Sequence, residues 1–257
     1  MLRESFSLSR IPEEAKTKML QLIKDGSSLN KIAKETGLPK TTIYYYFRKL
    51  RGRTYFEPEF DLNYSGLEGE IVGIFAGDGS QYHDTKRGHY EVNVHFGKTD
   101  YVYYVKDLFG KYFNKKFNLL SESRERFRLR TNSKKISNHF KNYLEYDPKI
   151  KHCTVGLKKL NFSEGFLIGF LRGFLDTDGT VCRAADGNIK IVYCTTSKKL
   201  AYQIKEILDG FDIICSLRVI IRSGFKDIYH IYLWKRSVKP FLQLVKPYKR
   251  KRVGLLV

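Results

Sequence analysis

The sequence is short of what would make it a secreted scaffold or a membrane protein. Its cysteines, Cys153, Cys182, Cys194 and Cys215, stand at least 12 residues apart. That spacing suits neither a zinc ribbon nor a small disulfide framework, and they read as ordinary thiols of a reducing compartment. The longest apolar run, Phe166 to Leu175, is interrupted by Arg172 and falls far below the roughly 20 residues a bilayer-spanning helix needs. Residues 1–10 lack the apolar core of a secretory signal, so a cytoplasmic or organellar location is expected. The histidines show no metal-ligand spacing. Acidic residues are scarce: 27 Asp and Glu stand against 47 Lys and Arg, a formal charge of +20. Aromatics are plentiful, with 18 Tyr and 18 Phe among 257 residues. Such a chain can bury a core and is no disordered tail, and its length suits one large domain or two modest ones. The excess charge is spread along the chain, and a folded basic protein of this kind seeks a polyanion. No basic amphipathic stretch with a bulky apolar face argues for a membrane surface. Nucleic acid is the expected partner.

Residues 1–53 read as a small all-α domain. Pro12 followed by Glu13 and Glu14 makes a favourable first helical turn, and Met19, Leu20, Leu22 and Ile23 supply an apolar stripe up to Gly26. A second helix runs from Ser28 through Ile32 and Ala33 to Thr36, where Gly37 can take a left-handed turn. Pro39 opens a third helix with Ile43, Phe47 and Leu50 on one side. Small Ala33 and the Gly37 turn look like a helix-turn-helix. Its third helix presents Lys40, Thr41, Thr42, Tyr45 and Arg48 for the bases and phosphates of a DNA groove. Residues 54–65 read as a linker, because Gly and Pro break the periodicity around them.

From residue 66 the chain repeats itself. Gly69, Gly73, Asp78 and Gly79 return as Gly169, Gly173, Asp178 and Gly179. Alternating strand pairs follow each set, at Ser80–Thr85 with Tyr90–Phe96 and at Thr180–Arg183 with Ile189–Cys194. Asp186-Gly187 reads as a hairpin turn in which both residues accept positive φ. Amphipathic helices come next, then second strand pairs (Asn118–Ser121 with Arg126–Arg130, and Leu217–Arg222 with Ile228–Leu233), then closing helices. The expected fold is therefore α+β: two pseudo-symmetric αββαββα halves, at 66–160 and 161–257, behind the helical domain.

The first helix of each half is unusual. Gly69, Gly73 and Gly77 fall on one helical face, as do Gly165, Gly169 and Gly173. Glycine costs about 1 kcal/mol per interior helical position, so these stripes need a compensating cause. Close packing of two helix backbones supplies one, and it would bring Asp78 and Asp178 together at the two helix ends. Two carboxylates beside negative helix ends repel and want a cation. In a protein that binds polyanions, a divalent metal shared with a phosphate answers that demand.

Ile71-Val72-Gly73-Ile74-Phe75-Ala76-Gly77-Asp78-Gly79 and Leu171-Arg172-Gly173-Phe174-Leu175-Asp176-Thr177-Asp178-Gly179 resemble the two motifs of a monomeric LAGLIDADG homing endonuclease. The similarity runs over residues 66–257. It implies that Asp78 and Asp178 are metal ligands, that the carbonyls of Gly77 and Thr177 help hold Mg²⁺, and that both strands of a double-stranded DNA site are cut across the minor groove to leave 3′ overhangs. It also implies a basic residue near each active centre, and Lys151 and Lys251 are again one hundred residues apart. Ala76 departs from the pattern, standing where the family has a second acid that is usually structural. The helix-turn-helix lies outside the minimal family fold.

Base readout is expected from outward strand positions: His89, Glu91, Asn93, His95, Arg126, Arg128 and Arg130 in the first half, and Lys190, Arg218, Arg222, His230, Tyr232 and Trp234 in the second. The endonuclease reading has two rivals. One is a DNA-binding transcription regulator that keeps the scaffold without cutting, which predicts loss of the acidic pair. The other is an RNA-splicing maturase using the same basic surface. The target sequence and any host intron or intein are not legible.

Overall fold

The computed structural model describes residues 11–51, 58–84, 89–97, 100–123 and 125–254. The chain divides into two compact units, residues 1–56 and 57–257. The boundary expected at residue 53 and the first part of the expected linker lie outside the described residues.

The first unit holds α1 (Glu13–Lys24), α2 (Leu29–Thr36) and α3 (Lys40–Arg51). The Ser28 hydroxyl caps α2 by accepting from the Lys31 amide, and Gly37 ends it at φ +69°, a conformation that glycine adopts without strain. Met19, Ile23, Ile32, Ile43 and Phe47 form its core. Leu50, expected beside Ile43 and Phe47, is exposed instead.

The second unit repeats one order twice. The first half runs α4 (Gly66–Asp78), β1 (Gly79–Asp84), β2 (His89–Gly97), α5 (Tyr101–Tyr112), β3 (Asn118–Ser123), β4 (Arg126–Asn132), α6 (Lys134–Tyr143). A short bridge follows: β5 (Leu144–Glu145), α7 (Lys151–Thr154) and β6 (Gly156–Leu157). The second half runs α8 (Glu164–Asp178), β7 (Gly179–Arg183), β8 (Ile189–Thr195), α9 (Lys198–Gly210), β9 (Cys215–Ile220), β10 (Ile228–Leu233), α10 (Lys235–Val245), and ends in a 3-10 turn over Tyr248–Val253. The sheets have matching antiparallel orders, β1-β2-β4-β3 and β7-β8-β10-β9. Serine caps open the paired helices, Ser65 accepting from the Glu68 amide and Ser163 from the Phe166 amide. This is the α+β arrangement of two αββαββα halves that the repeat implies.

Two local expectations need correction. In the β7–β8 hairpin Gly187 has positive φ (+76°) but Asp186 does not. The Gly187 amide donates to the Ala184 carbonyl and the Ala184 amide to the Asn188 carbonyl, a wider loop ending in one left-handed residue. Residues 58–65 do not hang free either. Phe60 packs edge-on to Phe113 at 4.9 Å, and the amides of Asn63 and Tyr64 donate to the buried Glu68 carboxylate at 3.1 and 2.5 Å. The strap is set by a carboxylate inside α4, which local composition does not reveal.

The joint between halves is α4 against α8. A Cβ on Gly69 or Gly73 would run into the carbonyl oxygens of Phe166 and Phe170, and one on Gly169 or Gly173 into those of Gly66 and Glu70. The stripes face each other, backbone on backbone, so the apolar side chains of both helices turn outward into one continuous core. Arg172 crosses the joint, donating to Glu70 Oε2 at 3.0 Å. Gly173→Ala or Gly73→Leu should therefore destabilise by ~1–3 kcal/mol or more through overpacking. Gly110→Ala in α5, which meets only ordinary contact, should be neutral or stabilise by up to about 1 kcal/mol. Urea unfolding of the three variants checks the contrast.

Candidate active site

Because α4 and α8 run side by side, their C-terminal ends meet, and each delivers an aspartate as its last residue before the glycine that starts a strand. Gly77 lies against the Thr177 side chain, with Asp178 Oδ2 next to it. Burial raises the Asp78 pKa to about 7, with the Asp178 charge adding to the rise and Lys151 and Lys249 opposing it. Burial raises Asp178 as well, against the same two lysines. Neither shift has a hydrogen bond among its causes.

The two lysines occupy equivalent places. Lys151, the first residue of α7, donates from Nζ to the carbonyls of Phe75, Ala76 and Gly77 at 3.0, 2.6 and 2.8 Å. Lys249, in the 3-10 turn, donates to those of Leu175, Thr177 and Gly179 at 3.1, 3.0 and 2.5 Å. Each ammonium thus sits at the negative end of one motif helix, over carbonyls of which those of Phe75 and Leu175 also accept the Gly79 and Gly179 amides. Burial lowers the Lys151 pKa to about 8, with Asp178 and Asp78 pulling it back up.

Here the structure corrects the expectation for Lys251. Its Nζ lies over the Tyr248 ring, 4.4 Å from the centroid, and Lys249 takes the place paired with Lys151. The hundred-residue register slips by two because a direct 3-10 turn after Pro247 replaces the longer bridge that carries Lys151. The Gly77 and Thr177 carbonyls, expected to face a metal, each accept from a lysine.

Asp176 escaped a functional assignment. It is 4% exposed and accepts the amides of Tyr248 at 2.7 Å and Lys249 at 2.8 Å, while burial raises its pKa to about 6. Its place two residues before Asp178 was the available signal.

Among the described residues no group of three or more His, Cys, Asp and Glu stands ready to hold a metal. Asp78, half-buried, and Asp178, open to solvent, nevertheless fit a hard divalent ion: they are mutually repelling oxygen donors beside main-chain carbonyls. Mg²⁺ uses such sparse sites, taking one or two carboxylates and completing its shell with water and substrate phosphate.

The expected readout positions divide. On the first sheet, Val92, Val94 and Phe96 enter the core, and Arg126, Arg128 and Arg130 lie on the other face. Glu91 and Asn93 share that face but are not open to a ligand, being 8% and 4% exposed. Long arginines on β4 cover them: Arg130 reaches Glu91 Oε2 at 2.5 Å, while Asn93 donates to Glu91 Oε1 at 2.9 Å and His89 joins at 3.2 Å. His95 meets Ser80 Oγ at 3.0 Å. Glu122, absent from the expectation, pairs with Arg128 at 3.1 Å. On the second sheet Lys190 and Arg218 are exposed, and His230 Nδ1 pairs with the Tyr232 hydroxyl at 2.9 Å. Two expected positions miss the strands. Arg222 follows β9, its guanidinium donating to the Lys226 carbonyl, and Trp234 caps α10. In the separate helical unit Lys40, Thr41, Tyr45 and Arg48 are exposed along α3, Thr42 is half-buried, and Tyr44 is also exposed.

Comparison with known proteins bears on both units. Residues 165–246 match the LAGLIDADG-like domain family, and residues 12–50 match the helix-turn-helix domain of resolvase. The chain carries a LAGLIDADG-like domain. Among solved structures, mesophilic variants of the homing endonuclease I-DmoI align at TM-score 0.56 and 16% identity, over 73% of this chain and 99% of that one. I-DmoI in complex with DNA and Mn aligns at 0.53 and 18%, over 71% and 97%. The N-terminal LAGLIDADG domain of DUF199/WhiA aligns at 0.48 and 11%, over 98% and 97%. No curated protein sequence matches the chain. The LAGLIDADG endonuclease fold is thus shared by both halves, with the helix-turn-helix before them.

The raised Asp78 pKa carries a pH signature. Between about 4 and 7 the folded carboxyl keeps a proton that the unfolded chain has released, so this group's contribution to stability falls as pH rises through that window. Metal-free protein should lose melting temperature over that range relative to Asp78→Asn. Millimolar Mg²⁺ at pH 8 should restore the wild type and leave Asp78→Asn unmoved. Thermal melts in chelator and in Mg²⁺ check both.

Proposed function

We propose that this LAGLIDADG protein is a site-specific homing endonuclease that cuts both strands of double-stranded DNA by metal-dependent phosphodiester hydrolysis, leaving 3′ overhangs. The observation that carries the reading is the meeting of Asp78 and Asp178, one from each half, at paired helix ends where each end also holds a half-buried lysine. A divalent ion held by these two carboxylates, with the Gly77 and Thr177 carbonyls beside it, would polarise a phosphate and make bound water more acidic. Lys151 and Lys249 bring positive charge to where negative charge grows on the phosphorus-bound oxygens. The basic sheet faces hold the duplex through its phosphates, and Arg128 and Arg130, fixed by Glu122 and Glu91, present guanidinium groups to base edges. The helix-turn-helix adds contacts of its own. A regulator that only binds DNA has no use for the acidic pair.

Asp78→Asn or Asp178→Asn should abolish double-strand cleavage of a supercoiled plasmid carrying the target, while binding measured in Ca²⁺ is kept or tightened because a charge facing phosphate is removed. A wild type that binds its verified site tightly in Mg²⁺ and never cuts would overturn the reading in favour of the regulator. Binding should weaken log-linearly with salt, as counterion release requires. Removing residues 1–56, the first unit, should shorten the protected footprint while cutting persists at higher protein concentration.

A further inference from the structure

The two lysines at the helix ends reach the same place by different supports. Lys151 opens α7, which is tied down from both sides. The Thr154 hydroxyl donates to the Ile150 carbonyl at 3.0 Å and accepts the Asp147 amide at 3.0 Å. From the second half, Thr196 Oγ1 donates to the His152 carbonyl at 2.7 Å and Ser197 Oγ to the Val155 carbonyl at 2.6 Å. The residue of α4 two before Asp78 is Ala76, which offers no side-chain acceptor. The segment carrying Lys249 has no helix like α7; the Tyr248 ring packs on Tyr101 and Tyr104, and Arg183 of β7 donates to the Val253 carbonyl at its far end. Arg172 of α8 holds the chain just before it, donating to the Val245 carbonyl at 2.7 Å, and the turn itself is tied to α8 by the Asp176 carboxylate, each oxygen taking one amide, from Tyr248 and from Lys249 itself. A short acceptor fixed to a helix and gripping two successive amides sets both position and direction of the backbone, and charge-assisted bonds of this kind are about twice as strong as neutral ones.

We propose that Asp176 is a positioning residue for Lys249: its two backbone bonds set the 3-10 turn so that the ammonium reaches the end of α8. The first half does without this acid because α7 and the Thr196-Ser197 corner do the same work for Lys151. The loss of an acid at Ala76 is therefore no defect, and the two centres differ in what holds them.

The inference rests on the endonuclease reading only for its second test. The first uses metal-free protein without DNA. Asp176→Asn keeps the side chain's size but turns an amide donor toward one of the two backbone N–H groups, so one bond is lost. Trace acylation of lysine amines, followed by peptide mass spectrometry, reads how often each ammonium leaves its carbonyls. Lys249 labelling should rise roughly tenfold in Asp176→Asn, the weight of about one such bond, while Lys151 stays at its wild-type rate. An equal rise at both lysines would mean general loosening and would overturn the proposal, as would no rise at Lys249. The second test follows each DNA strand separately. Asp176→Asn should slow cutting of the same strand that Lys249→Met slows, and Lys151→Met should slow the other. If wild type cuts and Asp176→Asn slows both strands alike, positioning fails. If wild type does not cut, the labelling result still decides the role of Asp176, and only the endonuclease reading falls.

Discussion

Everything in the larger unit hangs on the approach of two helix backbones. Without Cβ atoms at Gly69, Gly73, Gly169 and Gly173, α4 and α8 press carbonyl oxygens against each other's Cα surface. Elsewhere in a globular core such an approach is blocked by side chains. The apolar residues freed from the joint, such as Phe75, Phe170 and Phe174, belong to the core that surrounds it. The same joint fixes where the helices stop, and so where Asp78 and Asp178 stand relative to each other.

That placement creates an electrostatic problem which the chain answers with lysine. Two helix ends bring main-chain carbonyls, partial negative charge and two carboxylates into one crowded place. Lys151 and Lys249 each give three hydrogen bonds to the carbonyls. Their positive charges only partly offset the burial that raises both aspartates, so the pair keeps its appetite for a hard cation.

Much of this was legible in the sequence, and the reasons differ by feature. The glycine stripes and the aspartates after them are local and periodic, so both helices, their contact face and the meeting of their ends could be read. The Gly37 turn is local too. Tertiary events were harder. Lys249 was displaced to Lys251 because a repeat of one hundred residues gives a register, and the turn after Pro247 is shorter than the bridge it replaces. Glu91 and Asn93 follow the strand alternation correctly, yet strand parity says nothing about a neighbouring arginine long enough to fold over them. The strap at residues 58–65 was missed because its anchor, Glu68, looks like an ordinary first-turn acid.

Both faces of the α4–α8 joint belong to one polypeptide, which changes its thermodynamics in kind. Between two separate chains such a joint would dissolve on dilution, because its population would follow protein concentration by mass action. Covalent connection through β5, α7 and β6 replaces that dependence with a fixed effective concentration. The half-folds therefore stay matched even where few copies of the protein exist, and the segment that joins them is also the one that delivers Lys151.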